Sequence, residues 1–170
     1  MPSAPLPQRR GSRPVTTSTN PHMQLDQHPS MEIILQLAAF CFGLPDVEER
    51  PSLISVPGAR ALWLREEVAE GPREAFLIAR EFAHIHPLPD GSLHAALPPD
   101  VAYAAVEQGW AEPHALARFG IVPPSIVMLY APRDAAELRI VSALVAASRR
   151  FATGADQSPG RTRDNNHPSR

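Results

Sequence analysis

The chain has no lysine, and all sixteen of its basic residues are arginine. That excludes a lysine Schiff base among covalent mechanisms, and the bias reads as GC-rich codon usage rather than as a recognition device. The one cysteine, Cys41, lies in an apolar stretch, so no intramolecular disulfide can form. Its thiol reads as a small core side chain rather than a nucleophile, in a reducing, cytoplasmic setting. A formal net charge of −2 supplies no field for nucleic acid or for an anionic membrane surface. The apolar run at residues 31–44 is shorter than the ~20 residues a bilayer span needs. It also lacks the cationic face of an interfacial helix, which argues against membrane attachment. The sequence contains no glycine-rich phosphate loop, dinucleotide fingerprint or serine elbow, so hydrolases, nucleotide-using enzymes and flavin or nicotinamide enzymes of the common folds are disfavoured.

Proline, by contrast, is plentiful: 20 residues, about twice the usual share, mostly outside the periodic segments. Residues 1–29 are rich in Pro, Ser, Thr, Arg, Asn and His and have no apolar period, so they read as a disordered tail; residues 155–170 read the same way. Met23 and Met31 are alternative candidate starts. Residues 30–154 read as one domain.

Within it, residues 31–44 suit a buried helix, and residues 52–56 and 59–64, joined by Pro57-Gly58, suit a hairpin carrying Trp63. Residues 66–73 form a solvated connection. Pro98-Pro99-Asp100 opens a helix that Gly109 closes, residues 113–119 suit a second short helix, and residues 125–130 read as a central strand. Asp134 is the N-cap of a last helix, with Glu137 in capping-box position, a stripe of Leu138, Val141, Leu144, Val145 and Phe151, and Gly154 as its stop. This order predicts an α+β domain: a mostly antiparallel sheet with helices covering one face.

The other face carries the chemistry. Residues 81–94 read E-F-A-H-I-H-P-L-P-D-G-S-L-H and hold three of the seven histidines. Pro89-Asp90-Gly91 has the makings of a type I turn with a glycine bulge, which sets Leu88 opposite Ser92 and His86 opposite His94, with His84 on the same side. Ala83, Ile85, Leu93, Ala95 and Leu97 then share the apolar side, as a one-sided strand pair requires.

Beyond this hairpin, G-W-x-E-x-H occurs at residues 109–114 and V-M-L-Y-A-P-R at residues 127–133. Together these ordered motifs resemble the luciferase-domain family, the bacterial relatives of the luciferase of bioluminescent fungi, from about residue 51 to residue 154. The resemblance implies a luciferase-like, monooxygenase-like oxidoreductase. The fungal enzyme oxidises a hydroxylated pyrone-type luciferin with molecular oxygen, the substrate itself supplying the electrons. A small-molecule substrate and molecular oxygen are therefore the implied partners. The fungal proteins also carry an N-terminal membrane segment, and the short run at residues 31–44 departs from that pattern.

Three roles stay open for His84, His86 and His94. They could hold a divalent metal through imidazole nitrogens, with Glu112 or His114 as a further ligand; Glu81 would need a bulge to reach them. They could form a cofactor-free site in which neutral imidazole removes a phenolic or enolic proton before the anion meets oxygen. Or they could be buried polar residues bonded to Asp90, Ser92 or backbone. No cofactor is required by the second reading. Phe82, Trp110 and Tyr130 are candidate aromatic walls for a flat aromatic or polyketide-like substrate, Glu112 and His114 candidate binding residues, and Arg133 a partner for developing negative charge. Each aromatic also suits a core role. A non-catalytic binding or interaction module and a metal-dependent hydrolase are the rival functions. None of this predicts light emission.

Overall fold

A computed structural model describes residues 5–155; the expected C-terminal tail lies almost wholly outside them. The fold is α+β. Six strands, β1 (Val47–Pro51), β2 (Arg60–Leu64), β3 (Glu81–Ile85), β4 (Leu93–Ala96), β5 (Ala111–Pro113) and β6 (Ile126–Leu129), form one sheet in the order β1-β2-β3-β4-β6-β5. Every pairing is antiparallel. Helices α1 (Met31–Phe42) and α3 (Ala135–Ala152) pack against each other, with α3 lying on β3 and β4, while α2 (Pro99–Glu107) leans on β5.

The core fills one face. Leu62, Leu64, Ala83, Ile85, Leu93 and Ala95 of the central strands meet Leu37 and Cys41 of α1 and Val141, Leu144 and Val145 of α3. Cys41 is fully buried among them, and burial pushes its thiol up to about 12, as expected of a core residue. Ser30 and Asp134 cap α1 and α3, each accepting a backbone N–H three residues ahead. The Glu137 carboxylate reaches back to the Arg133 N–H, one residue beyond the reach of a capping box.

Three expected elements differ. The first hairpin strand is Val47–Pro51, not residues 52–56, so a charged V-E-E-R-P edge replaces the more apolar segment. Charge suits an exposed sheet edge, and residues 52–56 are diverted across the histidine face. Residues 113–119 form only a short 3-10 turn, Ala117–Phe119, because β5 takes the stretch up to Pro113. Residues 5–29 are not a free tail: they have little apolar surface, but their polar groups are satisfied by the domain. Arg9 is buried beside Glu137, Arg13 donates to the Val106 and Ala111 carbonyls, Thr16 bonds Glu112, and Gln24 accepts from Ala131 N. No helix among the described residues is long and apolar enough to cross a membrane.

Candidate functional site

The β3–β4 hairpin closes one step earlier than its turn residues suggest. Ala83 pairs with Ala95, His84 with His94 and Ile85 with Leu93, and His86 N–H donates to Ser92 O at 2.8 Å. Pro87 and Pro89 have no N–H for the ladder, and Asp90 Oδ1 accepts from Ser92 N and Oγ, so residues 87–91 form the turn. His84, not His86, therefore faces His94. The slip moves the pairing by two residues, which preserves the faces: His84, His86 and His94 share one side, with Ala83, Ile85, Leu93 and Ala95 on the other.

A bulge then exchanges two side chains. Leu62 pairs with Ala83 but Trp63 with Glu81, leaving Phe82 as the extra residue. Glu81 turns onto the histidine face, where its Oε1 lies 2.8 Å from His84 Nδ1, and Phe82 turns into the core at 0% exposure. Ser52 Oγ and Leu53 N–H also donate to Glu81, which explains why the segment after β1 leaves the sheet edge.

From Glu81 a continuous line of polar contacts crosses the face. His84 Nε2 is 3.1 Å from His94 Nδ1, His94 Nε2 is 3.1 Å from His22 Nδ1, and His22 Nε2 is 2.6 Å from Glu112 Oε1. Thr16 and Tyr130 donate their hydroxyls to Glu112. In parallel, His86 Nδ1 faces Ser92 Oγ at 3.0 Å and Asp90 Oδ2 at 3.2 Å. Carboxylates thus terminate the network on three sides.

Burial and crowding disfavour the charged form of His84, His94 and His114. His94 is pushed well below the usual imidazole range by burial and then by His84, His86, His114 and His22 around it. His84 is lowered by burial against the pull of Glu81, and His114 falls to about 4, through burial first and its histidine neighbours second. For Asp90 burial acts upward, but bonds to His86 and Ser92 outweigh it and keep the carboxyl below its ordinary value. Glu112 behaves likewise, with His22, Thr16 and Tyr130 overcoming burial.

The histidines line a cavity of about 210 Å³. His22, His84, His86, His94 and His114 line it together with Leu77, Val122, Ile126, Ile54 and Val56, which supply its apolar surface. Of the expected binding residues, only His114 lines this space. Glu112 and Tyr130 stand behind it, bonded to His22 and to each other. Trp110 is in the core with its indole N–H on Pro7 O, and Arg133 is held by Glu137 and Gln27, so neither reaches the cavity. His22 was not visible in the sequence, since it sits on a proline-rich stretch without periodicity.

Residues 79–148, which span the histidine hairpin, β5, β6 and most of α3, match the family model described as a luciferase domain. The chain carries a luciferase domain. It is 30% identical over 164 residues to proteins named luciferase from Armillaria mellea and Armillaria gallica, covering 87% of this chain and 61% of theirs. A luciferase from Neonothopanus nambi is 38% identical over 76 residues, 44% of this chain and 28% of that protein. The chain thus spans about three-fifths of the length of the Armillaria relatives. No solved structure matches it. The luciferase-domain match begins at residue 79 and so contains His84, His86, His94 and His114, whereas His22 lies outside it.

Proposed function

We propose that this luciferase-like protein binds a small, enolisable aromatic or polyketide-like molecule in the histidine chamber and promotes its oxidation by molecular oxygen. The observation that carries the reading is a cluster of imidazoles that lines, together with apolar side chains, a space of about 210 Å³, and in which burial disfavours the charged form of His84, His94 and His114. The apolar side chains would hold the ring and the imidazoles its acidic hydroxyl.

Each neutral imidazole has one nitrogen that accepts a proton and one that donates. Leu116 N–H donates to His114 Nδ1 at 3.1 Å, so a neutral His114 carries its proton on Nε2. From there it can donate to the substrate's developing oxygen anion. The bare nitrogens of the strand histidines would accept the enolic proton. The anion's carbon then gives two electrons to dioxygen, a carbon–oxygen bond forms, and the outer oxygen regains a proton. Substrate plus oxygen becomes a hydroperoxide without an external reductant.

Oxygen uptake with a hydroxypyrone tests this. Wild-type protein should consume oxygen, and His84→Ala, His86→Ala or His94→Ala should abolish uptake with the helical circular-dichroism signal retained. Binding of the pyrone with no uptake by wild type would instead establish a non-catalytic binding module.

A further inference from the structure

The hydrogen bonds around the three strand histidines determine which of their nitrogens carry protons, and the answer leaves a conflict at the centre. Glu112 accepts from Thr16 and Tyr130, and its contact with His22 Nε2 at 2.6 Å requires that nitrogen to donate. The Ala115 N–H points at His22 Nδ1 at 3.4 Å, so that nitrogen is an acceptor. His94 must donate to it from Nε2, which leaves His94 Nδ1 bare. His84 donates from Nδ1 to Glu81, which leaves its Nε2 bare as well. These two bare nitrogens face each other at 3.1 Å. Two lone pairs at that distance repel unless something positive lies between them.

His86 completes the set. Its Nδ1 is turned to Asp90 and Ser92, so its Nε2 is the free one, and His84, His86 and His94 each offer a ligand atom within 4.8 Å of the others. We propose that His84 Nε2, His86 Nε2 and His94 Nδ1 form a three-histidine site for a divalent first-row transition ion such as zinc or iron(II). Bonds of about 2.0–2.1 Å at a tetrahedral angle put ligand nitrogens roughly 3.3 Å apart, close to the 3.1 Å that already separates His84 Nε2 from His94 Nδ1. Every ligand has an outer partner on its second nitrogen: Glu81 behind His84, Asp90 behind His86, and the His22–Glu112 pair behind His94. Such partners fix the tautomer and raise the ligand's basicity. Three neutral ligands leave open positions toward the cavity, and there the ion would replace these nitrogens in the proposed oxidation, acidifying a substrate hydroxyl and holding its oxygen anion, with the proton released to solvent. Only this last point rests on the proposed oxidation.

A rival triad, His22, His94 and His114, shares His94. It is less well built: His22 Nδ1 and His94 Nε2 already satisfy each other, and Leu116 N–H occupies His114 Nδ1.

The test is titration of untagged, chelator-stripped full chain with Co(II), followed by displacement with Zn(II), without substrate. One equivalent should bind and give the visible absorption of four- or five-coordinate cobalt. His84→Ala and His94→Ala should lose it, and His114→Ala should keep it. Glu81→Gln should weaken binding 10- to 100-fold with an unchanged circular-dichroism spectrum, which keeps the test decisive if an alanine variant fails to fold. Wild type binding well below one equivalent overturns the proposal. So does loss of cobalt in His114→Ala with retention in His84→Ala. Because binding is read without substrate, an ion-free site leaves the oxidation to its own assay.

Discussion

The two faces of the sheet are both buried, but they are built on opposite principles. Beneath α1 and α3 the strands present Leu62, Leu64, Ile85 and Leu93, which need only be apolar and of the right volume. Above, the same strands present Glu81, His84, His86 and His94, none more than 5% exposed, and each must find a partner of the right kind. The apolar face stabilises by area, and the polar face spends its burial on orienting rings. The proposed function therefore lies on the side of the sheet away from the apolar core, and substitutions can separate the two.

The largest stability loss should come from the apolar face. Leu62→Ala or Leu93→Ala removes a fully buried side chain between sheet and helices and should cost about 2–5 kcal/mol in a urea denaturation series. A loss under ~1 kcal/mol would mean that this face is not the core that holds the domain.

Next is the lock between the N-terminal segment and α3. Glu137 is buried against Arg9 and Arg133, and although burial acts to raise its carboxyl, bonds from Arg133 and the charge of Arg9 hold it below the ordinary range. A carboxyl lowered in the folded state contributes stability that is complete above its unfolded value, near 4.3, and is lost as pH falls through the folded value. Glu137→Gln should therefore cost about 2 kcal/mol at neutral pH, with the difference from wild type closing below about pH 4. Protease cleavage within residues 5–29 should rise in parallel. A pH-independent difference would show that packing, not charge, closes the segment over the histidines.

Some of this was legible in the sequence and some was not. Alternation along residues 81–97 separates histidine face from core, and that separation survives because the true register differs from the expected one by an even step. Helix α3 was readable from Asp134, its stripe and Gly154, since capping and periodicity are local. What failed was non-local. The bulge that sends Phe82 inward and Glu81 outward depends on the pairing with β2, and the burial of His22, Arg9 and Gln24 depends on carbonyls and carboxylates more than sixty residues away. A segment poor in apolar residues was expected to be disordered because composition counts surface area, not partners. The expected aromatic walls misled for the opposite reason: Phe82 and Trp110 are large and apolar, and the core claimed them.

The smallest stability effect should fall at the cavity mouth. His114 is only partly buried, packs against His94 with ring centroids 4.5 Å apart, and its side chain accepts the backbone N–H of Leu116. His114→Ala leaves that N–H within reach of solvent and should change stability by less than about 1 kcal/mol. Yet the Nε2 proton lost with it is the one we propose to meet the substrate's oxygen, and removing a single donor of that kind costs on the order of 10²-fold in turnover. Oxygen uptake measured beside urea unfolding should thus show a residue that barely affects folding and strongly affects chemistry, the reverse of Leu62. If instead His114→Ala turns over normally, His114 is not the donor that meets the developing charge.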